Sequence, residues 1–302
     1  MTDFDKPNLT LVFPNWNGKD DTLEFLDSLL KITYPKDKIE IIVSDNGSKD
    51  GSLEAIPDKL KELEKAGFKS AFMHENGLNV GAIIAYNEGL AQSKIPGKYV
   101  LKTDNDIIIA PDSIDILVEY MENNIDSGIA GPRVYYYDKP DEVAHAAGFL
   151  EWGVSKRNDR DSEEIIESEY LTGCCMLIRK EVIEKQGFFL DENYFVYNDD
   201  LDLSLMCRKL GYKNVYIPYA KCWHKVSAST GRQKKSPFAI YHDFRSRLYF
   251  VHKYSSIFFL IFYWAIMPYI LLRWLKQGWL FKPVFLALLD FTFKRLGNKG
   301  HY

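Results

Sequence analysis

An apolar strand that ends in two carboxylates one residue apart constrains this chain more than any other stretch. Residues Tyr99-Val100-Leu101-Lys102-Thr103 read as a strand, Asp104-Asn105-Asp106 interrupts it, and Ile107-Ile108-Ile109 resumes the apolar run. In an open parallel sheet, ligands bind outside the carboxyl ends of the strands, so Asp104 and Asp106 are expected to face a crevice. Hard oxygen ligands there suit Mg²⁺ or Mn²⁺, which binds through one or two carboxylates together with substrate phosphates. The same tripeptide is also an ordinary turn, with Asp104 capping a bend and Asp106 solvated. The surrounding chain has to decide between them.

Upstream, strand patterns at 9–13, 39–43, 69–73 and 99–101 alternate with helical patterns that begin near Asp20, Ser52 and Ala82. Leu23, Leu26, Leu29 and Leu30 share one helix face, and Leu53, Ile56, Leu60 and Leu63 share another. This alternation predicts βαβ units and a parallel sheet. Each strand ends in a polar loop: Asn15, then Asp45, then Asn76 with Asn79 and Gly81, then Asp104 with Asn105 and Asp106. One Asp-Asn-Gly-Ser is commonly a turn plus a helix cap. Four polar loops on one sheet edge also offer acceptors for the base and ribose of a nucleotide and a metal for its diphosphate. Asp45 is placed to accept from the N3–H of a pyrimidine. No G-x-G-x-x-G follows the first strand and no Walker loop follows Gly47, so dinucleotide and P-loop readings lack their fingerprints.

The segment 113–170 is less regular, with a helix expected at 114–121, a strand at 129–136 and a loop or hairpin over 142–161. A buried strand is expected at 171–178, followed by a short helix from Lys180. Next come three acids in four residues, Asp199, Asp200 and Asp202, which repel one another. A solvated helix start could hold them, because carboxylates favour the positive end of the helix dipole. The helix 201–210 stops at Gly211, and a strand at 214–218 leads to Trp223-His224. A lone histidine in such a place is usually structural; as a metal ligand it needs partners, which Asp104 and Asp106 could supply.

Together these motifs resemble glycosyltransferase family 2, the inverting transferases of the GT-A fold. The likeness rests on Leu-Val-Phe-Pro-Asn-Trp-Asn-Gly (11–18), Val-Ser-Asp-Asn-Gly-Ser-Lys-Asp-Gly-Ser (43–52), Glu-Asn-Gly-Leu-Asn-Val-Gly (75–81) and Asp104-Asn105-Asp106. It continues through Thr-Gly-Cys-Cys-Met-Leu (172–177), Asn-Asp-Asp-Leu-Asp-Leu (198–203), and His224 with Ser227 and Ser229. It is nearest to rhamnosyltransferase-like members acting on lipid-linked glycans. It implies an α/β, Rossmann-like GT-A domain over 1–230, its mixed and mainly parallel sheet flanked by helices, with a nucleotide-sugar half to about 110 and an acceptor half after it. Residues 231–302 would form a C-terminal apolar, basic helical tail. Asn15, Asp45, Asn79, Gly81, Asp104 and Asn105 would bind the nucleotide sugar. Asp104, Asp106 and His224 would hold Mg²⁺ or Mn²⁺. Asp200 would be the catalytic base, with Asp199 standing where the family often has Glu. Asp199, Asp202 and Trp223 would face the acceptor, a glycan or a polyprenyl-diphosphate-linked sugar. The Gln-x-x-Arg-Trp of the processive synthases is not matched, since Ile270-Leu271-Leu272-Arg273-Trp274 lacks the Gln.

Two other function classes compete. A sugar-phosphate nucleotidyltransferase would carry a Gly-rich, Lys/Arg-containing loop after the first strand, where this chain has Pro14-Asn15-Trp16-Asn17-Gly18. An inactive nucleotide-sugar-binding scaffold would have lost Asp106 or Asp200.

The net charge of −4 hides a division. From Lys221 onward there are 14 lysines and arginines against Asp243 and Asp290, a surplus of 12, which leaves the preceding 220 residues at −16. Because that basic segment is also strongly apolar and aromatic, a membrane surface is the expected partner rather than nucleic acid. The uncharged run 254–272 is at the short end of what spans a bilayer, roughly 17–25 residues, and Pro268 interrupts it. Interfacial helices on the cytosolic leaflet are expected, with a buried hairpin in a homodimer as the other possibility. Four cysteines without a C-x-x-C pair and an acidic, non-apolar start agree with a reducing, cytoplasmic setting.

Overall fold

The computed structural model describes residues 6–151, 156–225, 236–276 and 280–301. Its first half alternates as expected: β1 (Leu9–Asn15), α1 (Lys19–Leu29), β2 (Ile39–Asp45), α2 (Ser52–Lys65), β3 (Ser70–Glu75), α3 (Ala82–Ala91) and β4 (Tyr99–Thr103). β1 pairs in parallel with β2 and β4, and β2 with β3. The register sets Asn15 opposite Asp45 and Asp45 opposite Glu75, so the polar loops do open from one sheet edge. Every residue of β2 is buried, as expected of a strand covered on both faces. α2 turns Ile56, Leu60 and Leu63 into that core.

The second half adds β5 (Ile107–Ile109), α4 (Ser113–Asn123), β6 (Ser127–Tyr136), β7 (Lys139–His145), β8 (Ala147–Glu151), β9 (Lys156–Arg160), β10 (Ile166–Ser168), β11 (Cys175–Arg179), α5 (Lys180–Gln186), α6 (Asp199–Lys209) and β12 (Lys213–His224). The main sheet runs β10-β12-β6-β11-β4-β1-β2-β3, with β5 on β12 and β7 on β6; β8 and β9 form a separate ribbon. Its mixed character comes from β11, which is antiparallel to both β4 and β6, and from the antiparallel pairs β10–β12, β5–β12 and β6–β7.

Local expectations change in two places. The strand expected from 171 begins only at Cys175, because residues 171–174 turn toward α6. The strand expected to stop at Pro218 continues to His224. Its pairing with β6 slips between Ile217 and Lys221 and then resumes, so Pro218 falls in the slip and the ladder loses little. The loop or hairpin expected over 142–161 is a hairpin, β8 paired antiparallel with β9, preceded by β7.

Three helices follow: α7 (Pro237–Tyr254), α8 (Ile257–Lys276) and α9 (Phe281–Thr292). α7 had no distinct sequence signal, since its buried residues fall on several faces. Phe250 joins the main core, while Ile240, Tyr241, Phe244, Leu248 and Val251 form a second core with Tyr263, Met267, Val284 and Ala287. α8 runs through Pro268 as one helix. Among the described residues no helix is long and apolar enough to cross a membrane.

Candidate active site

The site is assembled where β4 ends. Asp104 and Asp106 leave the strand on either side of Asn105, and β5 then pairs with the end of β12, setting His224 opposite Ile107. His224 Nε2 lies 3.1 Å from Asp106 Oδ1 and 3.7 Å from Asp104 Oδ2. One ligand atom from each of the three residues lies within 4.8 Å of the others. Adjacent ligands of a six-coordinate ion with bonds of about 2.1 Å are on the order of 3 Å apart, so the spacing fits. The two carboxylates suit Mn²⁺ or Mg²⁺ in donor chemistry, and the imidazole nitrogen favours Mn²⁺ of the two. These three side chains, 120 residues apart at the extremes, are therefore brought together as expected.

Their electrostatics reflect crowding. The Asp104 side chain is 38% exposed to the cleft, but the protein encloses it closely enough that desolvation dominates. Burial pushes its carboxyl up to about 7, with Lys102 and His224 pulling it down and Asp106 adding to the rise. Burial would lower the His224 imidazole, but the Cys174 sulfur and the Asp106 carboxylate outweigh it and hold the ring above its ordinary value.

The three acids at the start of α6 go to three different partners. Asp199 Oδ2 lies 3.3 Å from Lys102 Nζ. Asp200 accepts from Gly173 N–H at 3.2 Å and from Leu201 N–H at 2.9 Å. Asp202 turns away from the cleft altogether. It is 2% exposed, accepts from Lys253 Nζ at 2.9 Å and from the Tyr194 hydroxyl at 3.1 Å, and ties α6 to α7. The acceptor-facing place expected for Asp202 is thus corrected: helical spacing carries it to the opposite side from Asp200. Trp223 is half-buried, stacks on Tyr135 at 6.0 Å and donates to Pro140 O. Ser227 and Ser229 lie outside the described residues.

The nucleotide-side candidates form one hydrogen-bonded network. Asp45 is 0% exposed and accepts from Ser48 N–H (2.9 Å), Ser48 Oγ (2.8 Å) and Asn15 Nδ2 (2.6 Å). In this conformation its carboxylate ties the end of β2 to β1 and offers no exposed oxygen to a base. Asn105 donates to Thr22 Oγ1 and to Asn15 Oδ1, fixing the middle of the Asp-Asn-Asp turn on α1. Asn79 Oδ1 accepts from Gly81 N–H. Gly81 has φ +92°, and a Cβ there would meet the Phe195 ring at 2.7 Å, so this turn needs glycine twice over.

Four site residues were assigned no role in the sequence reading: Lys102, Gly173, Cys174 and Tyr86, although Gly173 and Cys174 lie in the Thr-Gly-Cys-Cys-Met-Leu motif. Lys102 is 2% exposed inside a central strand, and a lysine there is an anomaly that the sequence itself displays. Gly173 passes between Lys102 and Asp200, and the Cys174 carbonyl accepts from Asp104 N–H at 3.0 Å. Tyr86, from α3, donates to Asp104 Oδ1 at 3.0 Å. Its signal in the sequence was only that of a core aromatic.

Comparison with known proteins bears on the fold and the family. A family model described as glycosyl transferase family 2 matches residues 10–187. An N-acetylglucosaminyl-diphospho-decaprenol L-rhamnosyltransferase of Mycobacterium tuberculosis is 25% identical over 268 residues, covering 80% of each chain. A poly-beta-1,6-N-acetyl-D-glucosamine synthase of Staphylococcus aureus is 25% identical over 74% of this chain and 51% of its own length. Among solved structures, GalNAc-T7 with UDP, GalNAc and Mn²⁺ aligns with a TM-score of 0.66 at 17% identity, over 83% of this chain and 48% of that one; the chain spans about half of that neighbour. The mannosyltransferase PcManGT from Pyrobaculum calidifontis, in complex with GDP-Man and Mn²⁺, aligns with a TM-score of 0.60 at 16% identity over 97% of this chain and 89% of its own.

Proposed function

Because this chain belongs to glycosyl transferase family 2 and is a glycosyltransferase of the GT-A fold, we propose that it moves a sugar, with inversion, from a dTDP- or UDP-type donor to a hydroxyl of a lipid-linked glycan. The observation that carries this reading is the convergence of Asp104, Asp106 and His224 beside Asp200, joined by the Gly173–Cys174 segment. The acceptor class is supported by the mycobacterial relative, whose name specifies a diphospho-decaprenol-linked sugar. Residues 1–230 carry the chemistry in this reading, and 231–302 bring it to the lipid at the cytoplasmic face.

Asp104, Asp106 and His224 would hold Mn²⁺ or Mg²⁺, which when bound supplies positive charge opposite the leaving diphosphate. Asp200 takes the proton from the acceptor hydroxyl as that oxygen attacks the anomeric carbon from the face opposite the leaving group. The Gly173 and Leu201 N–H groups fix the Asp200 carboxylate for that transfer. A single displacement inverts the centre, and no enzyme nucleophile is required. Asn15, Asn79, Gly81 and Asn105 shape the donor cleft. Base recognition by Asp45 requires its tie to Asn15 or Ser48 to open.

The deciding experiment is a donor screen. UDP-, dTDP- and GDP-sugars are offered with a polyprenyl-diphosphate-linked N-acetylglucosamine acceptor in anionic vesicles, and nucleotide diphosphate release is measured. One donor class should turn over, stop in EDTA and recover with Mn²⁺. Release that persists in EDTA would refute the metal assignment, and no release from any donor would refute the transfer reading.

A further inference from the structure

We propose that Lys102 is the positioning residue of this site, its buried ammonium clamping Asp199 and the Gly173 turn so that Asp200 and the Asp104–Asp106 pair keep a fixed separation. The inference rests on the transferase reading above and deepens it. Lys102 sits in β4 two residues before Asp104, in the middle of the sheet. An ammonium withdrawn from water is costly unless it is paired and hydrogen-bonded, and each of its partners here belongs to the site. Nζ donates to Gly173 O at 2.9 Å and lies 3.3 Å from Asp199 Oδ2. It also stands 4.2 Å from the centre of the Tyr86 ring, close enough for a cation–π contact.

From these partners the contacts fan out to both halves of the reaction. The Tyr86 hydroxyl donates to Asp104 Oδ1, on the metal side. Gly173 N–H donates to Asp200 Oδ2, on the base side. The fit around Gly173 is tight: a Cβ there would lie 3.0 Å from Lys102 Nζ and 3.1 Å from Asp200 Cβ. The ammonium thus touches the groups that hold each half, and the glycine carbonyl and amide transmit its position to Asp200 over one residue. Asp199, engaged by Lys102, is held as a counter-charge, while its neighbour Asp200 is held by backbone amides.

The test compares Lys102→Met, Lys102→Arg, Asp199→Asn and the double variant Lys102→Met/Asp199→Asn. Folding is followed by circular dichroism, Mn²⁺ and UDP binding by calorimetry, and turnover with the donor that wild type accepts. In Lys102→Met, kcat should fall about 100-fold, donor KM should stay within about threefold, and Mn²⁺ should bind at least as tightly as to wild type, because a nearby positive charge has gone. Lys102→Arg should recover part of kcat. The double variant should be no worse than its poorer single parent, since both members of one pair are then removed. Unchanged kcat in Lys102→Met, Mn²⁺ binding lost together with activity, or losses that multiply in the double variant would each overturn the proposal. If Lys102→Met fails to fold, Asp199→Asn decides: a folded, fully active Asp199→Asn enzyme removes the clamp. A wild-type chain that turns over no donor refutes the transferase reading instead, and its Mn²⁺ binding set against that of Lys102→Met still judges the inference about Lys102.

Discussion

At the scale of single residues, the site separates groups that look alike in sequence. Asp199, Asp200 and Asp202 lie within four positions, yet one meets a buried lysine, one two backbone amides and one a lysine on another helix. Asp200→Asn keeps the shape while removing the carboxylate proposed as the base. Its turnover should drop by roughly 10²–10⁴ with donor binding within a few fold, and a fully active Asp200→Asn enzyme would show that the proton leaves by another route. Asp106→Asn removes the carboxylate closest to His224. It should weaken Mn²⁺ binding at least tenfold in calorimetry and abolish transfer, whereas unaltered Mn²⁺ affinity would remove Asp106 from the metal site.

At the scale of elements, α7 holds α6 in place. Lys253 reaches Asp191 at 2.7 Å and Asp202 at 2.8 Å, and the Ser246 hydroxyl donates to Val196 O just ahead of α6. Asp202 is nearly inaccessible, so Lys253→Met leaves a buried carboxylate without its cation. That should cost about 3 kcal/mol of stability, read as a lower denaturant midpoint; an unchanged midpoint would make the pair dispensable. α7 also carries an acid-sensitive group. His242 is buried, stacks on Phe195 at 4.6 Å between ring centres and lies near Arg245. Burial, reinforced by Arg245, lowers its pKa to about 3. The unfolded chain, with an ordinary histidine near 6.5, binds a proton that the folded one refuses over the interval between these values. Stability therefore falls as pH drops from about 6.5 toward 3, by at most about 1.4 kcal/mol per pH unit from this group. His242→Phe should flatten that part of the melting-temperature profile between pH 7 and 5; a profile identical to that of wild type would rule out His242 as its source.

At the scale of the whole molecule, the charge division acquires a shape. α8 exposes Phe258, Ile261, Phe262, Tyr269 and Leu272 at helical spacing, and α9 adds Phe281 and Phe285. Phe258 is 81% and Ile261 64% exposed, although both lie in a strongly apolar helix. The opposite face of α8 supplies Tyr263 and Met267 to the second core. Contiguous apolar exposure of this kind marks an interaction surface, and Arg273, Lys276, Lys282 and Lys294 along it suit anionic lipid, each adding about 1 kcal/mol near such a surface. Phe258→Asp combined with Ile261→Asp should leave the fold intact and abolish flotation with vesicles containing phosphatidylglycerol. Equal flotation of wild type and variant would exclude this face, and a dimer that the variant disrupts would identify it as a subunit interface.

What the sequence determined by itself is what local periodicity and residue chemistry encode. It specified the βαβ alternation through Thr103, the polar loops at the strand ends, the Asp104–Asp106 pair, the acidic start of α6 and the charge and apolarity of the tail. These are readable because each is a pattern within about 15 residues. Tertiary structure decided which of those groups face one another. Only the antiparallel insertion of β11 and the long β12 bring Gly173 and His224 to the end of β4. Helical spacing alone made the three acids of α6 inequivalent, but it needed α7 and β4 in place to say that Asp202 is structural and Asp199 paired. Lys102 is the sharpest case: its strand was legible, but its charge could be explained only by partners 71 and 97 residues away. Pairings at that separation are set by sheet order and burial, and no local pattern records them.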